Sequence, residues 1–384
     1  MPANDKSFLW ACWLVLLCGV PFAVAQEKER KKDVQQPSST TEQKPAEEVL
    51  RVNTRVVFVD ALVKDKKKGA PVKNLNRDNF TVLDDGRVRE LTYFSTGSET
   101  RRPRALMLVI DFFGGNGRTF HDKEIVARLA SILAKLPPED ELAIAAAWIG
   151  KDTSPCLPLE PVSAEFPPLL VMQDFTRDRE KIIASLEAIP ALVAKYNQKT
   201  IELANSPETY ANAASSISCA ADGLRRAASE RPNSQAVMVV ASDDFVYFPL
   251  TERDRMIHDA LETGITVNLL RIRTSFLSGV MAGIAKKGAG YRQLPGTIDV
   301  VADAAQQTGG ETARVGSAKK YVEEFEKLVS NLTSRYMLGF TLEDNEQNTS
   351  RLHKLEIRVK ARDERGKERK VIVSARNGYY LPNQ

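Results

Sequence analysis

The stretch "ALMLVIDFFGGNGRTF", Ala105 to Phe120, carries the residues best placed for chemistry: an apolar run closes on Asp111 and passes into a glycine-rich turn. That layout can cradle a phosphate, hold a metal ion, or serve only as a tight turn. Spacing disfavours the phosphate. Gly115 and Gly117 give G-x-G, but Phe120 stands where a dinucleotide fingerprint needs its third glycine, and no G-K-[ST] follows. A carboxylate directly before the turn would also repel the phosphate charge.

Catalytic candidates are few. The three histidines, His121, His258 and His353, fall on separate elements. The G-x-S-x-G and H-E-x-x-H patterns are absent, and cysteines and histidines do not cluster. His121 lies near Asp111 and Asp122, so an extracytoplasmic hydrolase using that histidine and its acids is the enzymatic alternative. Phosphotransfer through Asp111 would want a second acid at position 113, where Phe113 stands. Phe112, Phe113 and Phe120 form either an apolar rim for a protein partner or residues buried against neighbouring loops. Asp84, Asp85 and Gly86 read as hairpin chemistry, because Asp and Gly tolerate positive φ. Calcium binding by the two aspartates is the sharper alternative, and no further ligand spacing supports it.

Several elements must position these residues. Lys6, the apolar "FLWACWLVLLCGV" and the small-residue "AVA" before Gln26 make residues 1–25 a secretory signal peptide, with an uncleaved anchor as the competing reading. Cys18 does not make a lipoprotein signal, because Leu17 precedes it where a small residue belongs. Residues 26–48 are polar and read as a disordered linker. Residues 49–98 alternate with period two around the "DDG" turn and predict a β-domain. Residues 104–333 alternate strands with helices: "ALMLVID", "ELAIAAAWIG", "QAVMVVASDD" and "GITVNLLRI" are strands, and Ile125, Val126, Leu129, Ile132, Leu133 and Leu136 share one helical face. Ile182, Ile183 and Leu186 mark a further helix, as do Met256, Ile257, Ala260 and Leu261. This order predicts a doubly wound, mostly parallel α/β sheet. Residues 334–384 return to strands and should pack with the N-terminal β-domain, since isolated hairpins are marginal.

With 54 basic and 50 acidic residues, a net charge of +4 over 384 residues argues against a dedicated nucleic-acid binder. After signal cleavage no membrane span is expected, and Cys156 and Cys219 remain as either a disulfide or two free thiols.

From Leu50 to Pro382 the chain resembles von Willebrand factor A-related proteins of the acidobacterial type. The likeness lies in "RVNTRVVFVDALVKDKKKGAPVKNLNRDNFTVLDDG", "LMLVID", "VMVVASDD", "AQQTGGET" and "SARNGYYLP", taken in order. It implies a von Willebrand factor A-like domain with a magnesium site at the strand tips. Carried over residue by residue, the metal ligands are Asp111, Thr209 as a loop threonine, Ser242 and Asp243. Phe113 and Gly115 occupy the two serine positions of the pattern and Asp244 a position that is often glycine, so the metal site is degenerate. The implied function is non-enzymatic protein binding or adhesion by an exported protein. Without metal, Phe112, Phe113, Gly115, Asn116 and Asp244 would meet the partner. A purely structural envelope component is the third reading.

Overall fold

A computed structural model describes residues 55–96, 102–112, 114–147, 169–194, 207–243, 250–272, 300–343, 350–363 and 365–381. Asn53–Gln384 form one compact unit. The signal segment and linker expected over 1–48 lie outside the described residues.

The strands in chain order are β1 (Val56–Asp65), β2 (Phe80–Asp84), β3 (Arg87–Arg89), β4 (Tyr93–Ser95), β5 (Arg104–Asp111), β6 (Glu141–Ala147), β7 (Leu169–Thr176), β8 (Gln235–Asp243), β9 (Thr266–Ile272) and β10 (Thr312–Val315). They continue with β11 (Tyr336–Thr341), β12 (His353–Val359), β13 (Ala361–Arg362), β14 (Glu368–Arg369), β15 (Val371–Ser374) and β16 (Gly378–Tyr379). The helices are α1 (Gly114–Phe120), α2 (Lys123–Ala134), α3 (Arg179–Glu187), α4 (Pro207–Glu230), α5 (Leu250–Thr263), α6 (Val300–Gln307) and α7 (Ala318–Thr333).

A six-stranded sheet runs in the order β10-β9-β8-β5-β6-β7. Every pairing in it is parallel except β6 with β7. All eight residues of β5 are buried, which explains the unbroken apolar run Ala105–Ile110. Alternate side chains serve opposite faces: Leu106, Leu108 and Ile110 join α2, α3 and α7 in one core, while Met107 and Val109 join α4, α5 and α6 in another. Caps fix the helix starts. Asp122 accepts from the amides of Glu124 and Ile125 before α2, and Asp178 caps α3 in the same way.

The flanking segments pair with each other. One antiparallel sheet has the order β15-β1-β11-β4 and the other β16-β12-β2-β3. Both contribute to a third core, with Val59 and Val63 from β1, Val82 from β2, Leu338 and Phe340 from β11, and Leu355 from β12. Polar bonds tie this layer to the α/β sheet: Gln235 at the start of β8 donates to Asp60 of β1 at 2.8 Å. Burial, opposed by the surrounding arginines, pushes the Asp60 carboxyl above its ordinary value.

Two elements escape the sequence pattern. β7 is an antiparallel edge strand, half-buried except at the exposed Asp174, and only the short apolar run Leu169–Met172 marks it. α4 is 24 residues long, but its small residues Ala and Ser blur the helical stripe. Thr209 therefore stands in the first turn of a helix, a correction to its reading as a loop residue.

Candidate functional site at the sheet tips

From β5 the chain proceeds to β6 and β7 on one side, whereas β8, β9 and β10 lie on the other. The direction of winding therefore reverses between β5 and β8, and the crevice at their carboxyl ends is where open α/β sheets bind ligands. Asp111 is the last residue of β5, and Ser242 and Asp243 are the last two of β8. Ile110 pairs with Ala241, so Asp111 and Ser242 occupy the next position along. The Ser242 hydroxyl donates to Asp111 Oδ2 at 3.0 Å, with both residues almost fully buried.

The surroundings hold this pair in place. Tyr321 of α7 is fully buried, and its ring meets Phe120 edge-on at 5.7 Å. Burial, reinforced by the Asp111 charge, pushes the Tyr321 phenol well above its ordinary value. The Phe112 amide donates to Ala147 O at 3.2 Å, extending the pairing of β5 with β6 past Asp111. Gly117 lets α1 fold back against that turn: a Cβ there would lie 2.2 Å from Phe112 O. Gly117 thus serves a close backbone approach.

The expected site residues divide clearly. Asp111 and Ser242 come together, and Asp243 follows directly at the end of β8. Phe112 is 3% exposed and Phe120 is buried too, which corrects the reading of these rings as an exposed rim: both turn into the core around α1 and α7. Phe113 and Asp244 lie outside the described residues, as do the side chains of Asn116, Thr209 and Asp243, while Gly115 falls within α1. His121 is exposed in the turn before α2, while the neighbouring Asp122 carboxylate is engaged as the α2 cap. Cys219 on α4 is buried and disulfide-bonded; Cys156 lies outside the described residues.

The described donors fit a hard cation in part. Two ligand oxygens on an octahedral magnesium, with bonds of 2.0–2.1 Å, stand about 2.9 Å apart. The 3.0 Å separation of Asp111 Oδ2 and Ser242 Oγ meets that requirement. Gly115, in the second serine position, brings no side-chain oxygen, so water would have to complete the shell.

No family model and no curated protein matches this chain. Among solved structures, the human COPII-coat protein Sec24c is 10% identical with a TM-score of 0.38, over 73% of this chain and 44% of that one. A von Willebrand factor type A protein from Catenulispora acidiphila is 12% identical with a TM-score of 0.37, over 78% and 72% of the two chains. An aerotolerance-related membrane protein from Bacteroides fragilis, carrying multiple mutations to serines, is 11% identical with a TM-score of 0.33, over 59% and 98%. The assignment of fold class rests on the strand order and directions. No helix among the described residues is long and apolar enough to cross a membrane.

Proposed function

We propose that this chain is an exported, non-enzymatic protein-binding module with a von Willebrand factor A-like α/β layer, whose partner docks at the carboxyl ends of β5 and β8. One observation carries the reading: Asp111 and Ser242, far apart in sequence, meet at the point where the winding of the sheet reverses. Export is read from Lys6, the apolar run and the "AVA" before Gln26. In the metal-bearing form Asp111, Ser242, Asp243 and Thr209 share one magnesium ion with water, leaving a position for a carboxylate from the partner. In the metal-free form Phe113, Gly115, Asn116 and Asp244 meet the partner directly.

The test combines titration with magnesium, followed by calorimetry, and capture of partners from envelope extracts. A metal-bearing site gives heat that disappears in Asp111→Ala, together with capture that is lost in the same variant and on chelation. A metal-free site gives no heat and loses capture on Phe113→Ser alone. Capture that survives both substitutions would remove the sheet tips from the binding surface and sink the proposal.

A further inference from the structure

A second cluster of ligating groups lies in the antiparallel layer, and its members are distant in sequence. β2 ends at Asp84, and Asp85 and Gly86 make the turn into β3 with φ of 49° and 80°. β12 pairs antiparallel with β2, Leu355 opposite Asp84, and pairs on its other side with β16, His353 opposite Tyr379. His353 is thereby held between the aspartate turn and the Tyr379 ring, on which it stacks at 5.0 Å. Its Nδ1 stands 3.1 Å from Asp85 Oδ2 and 3.9 Å from Asp84 Oδ1.

The hydrogen bonds of this cluster are unevenly distributed. Asp84 Oδ2 accepts from Arg89 Nε at 3.0 Å, Arg89 Nη2 at 2.8 Å and the Tyr379 hydroxyl at 3.2 Å. Asp84 Oδ1 has no hydrogen-bond partner among the described residues, although Asp84 is 2% exposed. His353 Nε2 is likewise buried without one. Buried polar atoms are nearly always satisfied, so the orphaned Asp84 Oδ1, which faces His353 Nδ1 and not the orphaned Nε2, points to a missing group. Asp85 is better served: Oδ1 accepts from the Lys354 amide at 3.0 Å and Oδ2 from Arg351 Nη2 at 2.8 Å. These bonds and the nearby His353 outweigh the effect of burial and hold the Asp85 carboxyl below its ordinary value.

We propose that Asp84, Asp85 and His353 form a site for a divalent ion of the zinc type, with the remaining position open to solvent. Tetrahedral zinc with bonds of 2.0–2.2 Å sets its ligand atoms about 3.4 Å apart, and the two separations at His353 bracket that value. Calcium wants six to eight oxygens and magnesium a near-octahedral oxygen shell, whereas one imidazole with two carboxylates suits zinc, cobalt or manganese. Arg89 and Tyr379 act as the outer support, because they hold Asp84 through the other oxygen. Arg351 must yield its hold on Asp85. Its side chain is 55% exposed and can turn into solvent as the ion enters from that side. The proposal is independent of Asp111 and of the partner surface.

The experiment uses purified protein stripped with a chelator and titrated with zinc by calorimetry. Cobalt(II) replaces zinc in a parallel titration read by visible absorption. One equivalent beyond any held at Asp111 should bind, cobalt should show the intense bands of a tetrahedral site, and zinc should raise the thermal midpoint. Asp85→Asn, a change at the exposed turn, and His353→Gln should each weaken binding at least tenfold, while Asp363→Asn, in the exposed turn between β13 and β14, leaves it unchanged. Circular dichroism checks that each variant is folded. Absence of heat and of cobalt bands, or binding unaltered in folded Asp85→Asn and His353→Gln, would overturn the site and leave a charge cluster bridged by the imidazole.

Discussion

The Ser242 hydroxyl donates to Asp111 Oδ2 across 3.0 Å and joins the tips of the two central strands of the sheet. Both residues are buried, so the bond replaces water for a carboxylate that has lost most of its hydration. Ser242→Ala should lower unfolding stability by about 1–3 kcal/mol, the usual cost of leaving a buried acceptor short of a donor. Urea denaturation measures it. A change below about 0.5 kcal/mol would mean that other donors satisfy Asp111 equally well.

Arg104 anchors the opposite end of β5. Its amide donates to Asp140 Oδ1 at 2.8 Å, and its guanidinium reaches Asp140 Oδ2 at 3.2 Å and Leu332 O at 2.9 Å. Asp140 is 0% exposed, so Arg104→Met would take a charged partner from a buried carboxylate. The expected loss is about 3–5 kcal/mol in denaturant unfolding. In the double variant Arg104→Met/Asp140→Leu part of it should return, because the buried carboxylate is removed together with its Arg104 partner.

Gly117 presents a steric test. Its absent Cβ leaves the Phe112 carbonyl room at a place where alanine would come within 2.2 Å. Gly117→Ala must displace α1 or the turn after Asp111, at about 1–3 kcal/mol. Thermal unfolding reads the cost, and any metal or partner affinity at the sheet tips should fall with it.

Acid should loosen the carboxyl end of β1 through Asp65. The backbone amide of Lys68 first, then the Arg369 side chain, lower its carboxyl to about 2. An unfolded aspartate titrates near 3.9, so the folded state holds the proton less tightly. The resulting stability is present above that unfolded value and is lost as pH falls through about 2. Asp65→Asn should flatten this part of an acid titration followed by circular dichroism; an unchanged slope would exclude Asp65 from acid unfolding.

Legibility in the sequence followed burial and distance along the chain. β5 and β9 could be read because helices cover both faces: Ala105–Ile110 is an unbroken apolar run, and β9 is mostly apolar despite Asn268 and Arg271. β7 was hidden by its place at the sheet edge, and α4 by its small residues. Asp111 and Ser242 stood out as polar residues ending apolar runs, but only the order of strands made them neighbours. The Asp84–Asp85 turn was visible in "DDG", while the approach of its β12 neighbours was not: Lys354 and Asp85 are bonded at a separation of 269 residues. Hydrophobic character alone left Phe112 and Phe120 open to either a rim or a buried place, and both pack inward.

The pairing of β1 bears on how the chain acquires its structure. Its partners are β11 and β15, and Asp65 meets Arg369 across 304 residues of chain. Contacts of such separation require closure of a very large loop and slow the search for the native state. The parallel sheet, whose strands follow one another more closely, can form while β1 still waits for its neighbours. During synthesis the edges of β1 stay open until almost everything else has been made, and this late closing step is where misassembly and aggregation compete most directly with folding.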